Sequence, residues 1–310
     1  MGKLAYVFPG QGSQYVGMGR ALYEKCPEAR AVFEAADAAL GEKLSKLIFE
    51  GPDEELRLTR NTQPAILTVS VAMHAVLVAR SGEKPDLLAG HSLGEYSALV
   101  AAGALDLADA VRAVRQRGAF MQEAVPAGVG AMAAVVRVDP ELVRAGCAEI
   151  AQGQVCSPAN YNSPDQTVIA GHAEAVERAR AKLSAAAPRA RVLPLPVSAP
   201  FHCSLMEPVA PRMRTVLEGL RWAALAVPVV SNVEAAANAD PRRAVELLVS
   251  QVTSPVRWVE SVRALSAAGV TRVIEVGPGK VLTGLVKAID KGLEATALDE
   301  PEALAKLLGV

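Results

Sequence analysis

Short apolar runs alternating with longer helical patterns predict an α/β fold, a mostly parallel sheet covered by helices on both faces. Runs of strand length at 4–8, 86–89, 227–230 and 273–276 are separated by segments long enough for helices. Three of them end in glycine-rich turns: Pro9-Gly10-Gln11-Gly12, Gly90-His91-Ser92-Leu93-Gly94 and Gly277-Pro278-Gly279. Between 130 and 197 the rhythm changes to strand, helix, strand, strand, helix, strand, a unit that fits in about seventy residues and is inserted in the larger fold.

Residues 4–8 are all apolar and stop at Pro9-Gly10, as a buried strand does. Helical patterns follow at 17–25 and 27–40, and Gly51-Pro52 with Asp53-Glu54-Glu55 marks the start of another helix. The stretch 63–80 is apolar nearly all round, which suits a helix buried in the core. A brief strand at 86–89 breaks at the second glycine-rich turn, and helices are expected at 94–102 and 106–124. In the insert, strands are expected at 130–138, 154–161, 166–170 and 190–197, with helices at 140–151 and 173–186. Gly128, Gly130, Pro194, Pro196 and Pro200 offer hinges at its two ends. The expected architecture is an α/β-hydrolase-like parallel-sheet core of residues 1–126 and 199–310, carrying a ferredoxin-like βαββαβ subdomain over 127–198.

A chain of 310 residues with 51% apolar and 21% charged residues can bury a large core. A formal net charge of −1 gives no reason to expect nucleic acid or a polybasic membrane anchor. The apolar run at 98–105 stops at Asp106, short of a bilayer span, so no membrane association is expected. The N-terminus runs from Met-Gly-Lys straight into a strand pattern without a secretion signal's apolar core, and Tyr6 stands where a myristoylation signal needs Ser or Thr. Four cysteines with no CxxC pair suit unreactive buried thiols in a reducing compartment, so a cytoplasmic location is expected.

Gly90-His91-Ser92-Leu93-Gly94 fits the G-x-S-x-G nucleophile elbow, set between a strand and a helix. A serine there takes a strained turn that exposes its hydroxyl, the glycines allow close backbone approach, and the following helix aims free N–H groups at any oxyanion. The plainer reading of Ser92 is a helix cap. Of four histidines, His91 shares the tight turn, His74 lies in the core helix and His172 opens a helix it would cap. His202, in the loop-like return from the insert, is the best base by elimination. The turn after residue 8 has Tyr15 where a dinucleotide fingerprint needs its third glycine. It reads better as a loop bringing the Gln11 N–H opposite that of Leu93, or as a simple turn. A serine hydrolase and a non-catalytic carrier-binding scaffold remain open on these residues alone.

Pro9-Gly10-Gln11-Gly12-Ser13-Gln14, Thr62-Gln63-Pro64-Ala65, Gly90-His91-Ser92-Leu93-Gly94-Glu95, Arg115-Gln116-Arg117-Gly118, Phe201-His202 and Glu275-Val276-Gly277-Pro278-Gly279 occur in that order. Together they resemble the malonyl-CoA:acyl carrier protein transacylase family of bacterial type II fatty acid synthesis, over residues 3–300. The resemblance implies Ser92 as the acyl-accepting nucleophile, His202 as base, and Gln11 and Leu93 as oxyanion donors. It implies that Arg117 binds the free malonyl carboxylate, a task suited to a planar guanidinium. It also implies that Gln251 orients the histidine through its main-chain oxygen, and that Gln63, Asn162 and Phe201 line the pocket. Phe201 before the histidine favours malonyl over methylmalonyl. The partners implied are malonyl-CoA and an acidic acyl carrier protein, with no metal or organic cofactor. A monomer is expected. Arg189, Arg191, Lys280 and Lys287 are candidates for receiving the carrier.

Overall fold

The computed structural model describes residues 2–126, 128–187, 189–197, 199–299 and 301–308. It holds ten strands: β1 (Lys3–Phe8), β2 (Leu87–Gly90), β3 (Gly130–Val136), β4 (Cys156–Ser163), β5 (Gln166–His172), β6 (Arg191–Pro194), β7 (Val229–Val230), β8 (Ala237–Asn238), β9 (Val270–Val276) and β10 (Glu294–Leu298). One sheet runs β10-β9-β1-β2-β7-β8. Its first five strands pair in parallel, and only β8 runs against its neighbour. A second, antiparallel sheet runs β4-β5-β3-β6.

The near-continuous apolar character of β1 follows from burial on both faces. Tyr6 and Phe8 point into a core shared with the long helix Thr59–Ser81, whereas Ala5 and Val7 point the other way, among residues of the helices Trp258–Ala267 and Val281–Ile289. Helix Thr59–Ser81 is the one described helix long and apolar enough to cross a membrane, and 78% of its apolar window is buried inside the protein. It begins four residues earlier than the apolar pattern suggests, ahead of Pro64. Its first turn is closed without help from the proline, by Asn61 and Thr62 backbone N–H groups donating to Leu58 at 2.7 and 2.8 Å.

The insert has the expected order of elements, with helices Pro140–Ile150 and Ala173–Ser184. Alternation along β3 divides its neighbours. Ala133 and Val135 pack with these two helices, while Met132 and Ala134 join the main core. The backbone of β4 also meets the loop before helix Trp258–Ala267: Tyr161 N donates to Val256 O and Val256 N to Ala159 O, each at 2.9 Å. Ala127 and Ser198, the first and last residues of the expected subdomain, lie outside the described residues.

Several elements were not among those expected. Helices Leu44–Glu50, Val209–Glu218, Pro241–Gln251, Trp258–Ala267 and Val281–Ile289 and strand β10 complete the large layer. The expected strand at 227–230 shrinks to the two residues of β7. The four cysteines are free and buried, as expected.

Candidate active site

The carboxyl ends of β9, β1 and β2 lie side by side, so the three glycine-rich turns share one rim, where parallel α/β sheets place their ligands. The β2 turn is held against β1 by His91 N donating to Phe8 O at 3.0 Å. Ser92 has φ +52°, a left-handed conformation that costs a non-glycine residue about 1–3 kcal/mol. Gly90 and Gly94 are dictated by space: a Cβ at Gly90 would lie 1.9 Å from the Gly94 carbonyl carbon, and one at Gly94 would lie 2.0 Å from Phe8 O. The turn then passes directly into helix Gly94–Ala101.

Ser92 Oγ lies 2.8 Å from Nε2 of His202, and Nδ1 of His202 lies 2.8 Å from the main-chain oxygen of Gln251. A carbonyl can only accept, so Nδ1 carries the proton and Nε2 is left free to accept from the serine. His202 is buried, with its pKa pushed down to about 3 by that burial first and by the charge of Arg117 second. It is therefore a neutral imidazole in the resting enzyme.

Arg117 lies on helix Leu107–Glu123, on the buried stripe that also carries Ala110, Val114 and Met121, and is 1% exposed. Gly118 lets this helix close on the first turn of helix Thr59–Ser81, where a Cβ would meet Thr59 O at 2.6 Å. That approach brings Gln63 to Arg117. Nη1 donates to Gln63 Oε1 and Nη2 to Gln251 Oε1, both at 2.9 Å, and Nη2 stands 3.3 Å from Ser92 Oγ. The guanidinium also lies over the Tyr96 ring at 5.6 Å. Its buried Nε–H has no acceptor among the described residues. A cation held two-handed beside a nucleophile has the chemistry to receive an anionic group.

These groups open on a cavity of about 360 Å³ lined by Gln11, Gln63, Ser92, Leu93, Arg117, Phe201 and His202 among others. The backbone N–H groups of Gln11 and Leu93 have no acceptor among the described residues. Both are available to an oxyanion. Asn162 does not line this cavity, contrary to expectation. The ladder between β4 and β5 shifts register across it, and its Oδ1 instead accepts from His91 Nε2 at 2.8 Å, beside a neighbouring cleft of about 140 Å³. Asn160 lines the main cavity in its place. His172 sits at the start of its helix but caps nothing there; its Nδ1 accepts from Val155 N at 2.9 Å. His74 packs edge-on to Tyr6 and Phe8 as a core residue.

Two buried residues at the site carried no role in the sequence reading. Asn232 Oδ1 accepts from Ser92 N and its Nδ2 donates to Gly90 O, each at 2.6 Å, clamping the nucleophile turn. Glu95 Oε2 accepts from Asn232 N at 3.0 Å and Gln251 Nε2 at 2.8 Å. Burial pushes its carboxyl up to about 7. Asn232 follows the carboxyl end of β7, where a parallel sheet places functional residues. Glu95 falls inside the motif itself.

Residues 5–308 match the family described as the acyl transferase domain. The chain is 52% identical to the malonyl CoA-acyl carrier protein transacylase of Escherichia coli over 308 residues, 99% of each chain. It is 50% identical to that of Bacillus subtilis over 305 residues, 98% of this chain and 96% of the relative. Among solved structures, the malonyl-CoA:acyl carrier protein transacylase of Xanthomonas oryzae superposes with a TM-score of 0.97 at 48% identity, covering 100% of this chain and 98% of that one. A malonyl-transacylase in complex with its type II PKS acyl-carrier protein superposes with a TM-score of 0.96 at 46% identity, covering 99% of both. With its serine, histidine and arginine converging on one cavity, the chain belongs to the acyl transferase domain family, among the malonyl CoA-acyl carrier protein transacylases.

Proposed function

We propose that this enzyme moves malonyl from coenzyme A to the phosphopantetheine thiol of acyl carrier protein, for fatty acid synthesis, through a malonyl ester on Ser92. The observation that carries the reading is the buried Arg117 guanidinium 3.3 Å from a serine oxygen that is itself 2.8 Å from a neutral imidazole nitrogen. An arginine so placed has no use in an enzyme for uncharged acyl groups. It suits an acyl group that ends in a free carboxylate.

Ser92 Oγ attacks the thioester carbonyl carbon while its proton passes to His202 Nε2. The oxyanion takes the N–H groups of Gln11 and Leu93, each such donor being worth about 3 kcal/mol of barrier. Collapse breaks the carbon–sulfur bond, and the departing sulfur of coenzyme A takes the proton from Nε2. The carrier's thiol then gives its proton to Nε2 and attacks the ester. The second collapse returns the proton to Ser92 Oγ. Arg117 holds the malonyl carboxylate throughout, fixing the reacting carbonyl. Phe201 in the cavity wall supports malonyl over its methyl-branched analogue, a choice worth about 1–3 kcal/mol. Gln63 and Gln251 hold the arginine from behind.

The chemistry calls for no metal or organic cofactor beyond the thioester. The reading carries with it a cytoplasmic, monomeric enzyme. Its α/β-hydrolase-like core comprises 1–126 and 199–310, and its ferredoxin-like subdomain 127–198. The strand order of the second sheet supports that last name. Arg189, Arg191, Lys280 and Lys287 are exposed and open to an acidic carrier.

Intact-mass analysis after brief incubation with malonyl-CoA or acetyl-CoA tests this. A malonyl adduct on the wild type, absent from Ser92→Ala and absent with acetyl-CoA, is expected. An equal acetyl adduct would refute the role given to Arg117, and no adduct would refute the function.

A further inference from the structure

Glu95 is buried, ionisable and outside the reaction path, yet Ser92, His202 and Arg117 all hang from it through two hydrogen bonds. Its Oε2 receives Asn232 N and Gln251 Nε2. Through Asn232 the tie continues to Ser92 N and Gly90 O. Through Gln251 it continues to Ser92 O at 3.1 Å, to Arg117 Nη2 by way of Oε1, and to His202 Nδ1 by way of the main-chain oxygen. These residues come from three separate segments: helix Gly94–Ala101, the loop after β7 and the end of helix Pro241–Gln251.

We infer that Glu95 is a positioning residue for acyl transfer, setting the orientation of the Gln251 amide and thereby the pose of Arg117 toward the acyl carboxylate. The reason is donor and acceptor arithmetic. Glu95 Oε2 is the acceptor of both bonds, so the amide turns its NH₂ toward Glu95. Its oxygen is then forced toward Arg117, which only donates. Without the acceptor at 95 the amide loses its preferred sense. Rotated by half a turn, it would set its NH₂ against the guanidinium and leave Arg117 with one glutamine instead of two. The nucleophile and base keep other supports, since Asn232 still reaches Gly90 O and the Gln251 main chain still reaches His202. Loss of Glu95 therefore falls hardest on carboxylated acyl groups.

The readout rests on the malonyl-transfer reading and uses two acyl donors. Malonyl-CoA needs Arg117, whereas p-nitrophenyl acetate, an uncharged ester, needs only Ser92 and His202. Glu95→Ala is expected to lower kcat/KM for malonyl-CoA roughly 100-fold and ester acylation roughly 10-fold, so the malonyl-to-ester ratio falls about tenfold. Arg117→Ala lowers the same ratio, and adding Glu95→Ala to it lowers the ratio no further, because one path is cut twice. Glu95→Gln, whose amide oxygen can accept both bonds, holds the ratio within about threefold of wild type. Should Glu95→Ala not fold, Glu95→Asp, one methylene short of both donors, takes its place with the same expectation. Equal losses on the two donors, or ratio losses that multiply in the double variant, overturn the inference alone. A wild-type ratio that Arg117→Ala leaves unchanged overturns the functional reading, and this inference with it.

Discussion

Replacing Arg117 by Ala separates recognition of the acyl carboxylate from the chemistry at Ser92. Two of the five guanidinium N–H groups are committed to Gln63 and Gln251 and one leans toward Ser92 Oγ. A guanidinium grips a carboxylate through two parallel N–H···O bonds, so malonyl stands to lose two charge-assisted hydrogen bonds. At about 1.5–3 kcal/mol each, their loss amounts to roughly 3–6 kcal/mol, or about a hundredfold to ten-thousandfold in kcat/KM for malonyl-CoA. Acetyl-CoA should behave differently. It makes no use of the guanidinium, and removing the charge that helps hold down the His202 pKa leaves a better base. Acetylation of Ser92 is therefore expected to stay within about threefold of wild type or to rise. The assay is the rate of acyl-enzyme formation with each donor, followed by quenched-flow and intact mass. A variant that loses both rates by the same factor would show that Arg117 supports the fold of the site and not the choice of acyl group.

The pH dependence should carry the mark of the buried histidine. Protonation of His202 is opposed first by burial and then by Arg117, so kcat/KM, which reports the free enzyme, should stay level as pH falls through the ordinary histidine value of 6.5. A substrate carboxylate on Arg117 offsets that charge, so the acid limb of kcat should lie at higher pH than that of kcat/KM; coincident limbs near 6.5 would contradict both statements. Gly94→Ala should yield no malonyl adduct, because its Cβ would lie 2.0 Å from Phe8 O and push the nucleophile turn off β1; labelling at the wild-type rate would count against the elbow geometry. Glu275→Ala should lower the unfolding midpoint. The fully buried carboxylate accepts from Leu282 N at 3.0 Å and Thr283 N at 2.7 Å at the start of helix Val281–Ile289, and losing both bonds costs about 2–4 kcal/mol, roughly 3–6 °C by calorimetry. An unchanged midpoint would mean that water replaces both contacts.

What could be read before the structure was local. The nucleophile turn is legible because strain, glycines and a helix start must follow one another in five residues. The burial of β1 is legible because both its faces are apolar. Arg117 showed itself by residue type only through the family pattern, although its spacing with Ala110, Val114 and Met121 puts a charge on an apolar stripe, a signal independent of any family. Asn162 was expected in the pocket through the family pattern, and it faces His91 instead, where β4 shifts register against β5, a shift no residue type announces. Glu95 and Asn232 were invisible for another reason. Their partners lie 137 to 156 residues away, and the bonds run through an amide and a backbone N–H that any sequence supplies. The carbonyl that orients His202 was expected through the family pattern alone, since every residue supplies one.

That carbonyl is explained by the arginine. An aspartate behind His202, where many serine enzymes place one, would stand in the position of Gln251, whose side chain touches Arg117 at 2.9 Å. A carboxylate there would pair with the guanidinium and spend the charge that selects the acyl group. The fold solves this with a neutral acceptor. Gln251 gives its main-chain oxygen to the imidazole, its amide oxygen to Arg117 and its NH₂ to Glu95, so the one nearby carboxylate is kept an amide's length from the guanidinium. Arg117 thus stays charged and free to receive an anion. When malonyl docks, its carboxylate supplies the negative charge that a catalytic aspartate would have brought, close to the imidazolium that forms as Ser92 attacks. An acetyl group brings none. Selectivity and catalysis then draw on the same ion pair, and an acyl group without a carboxylate meets a binding site with an unanswered charge and a base that holds its proton poorly.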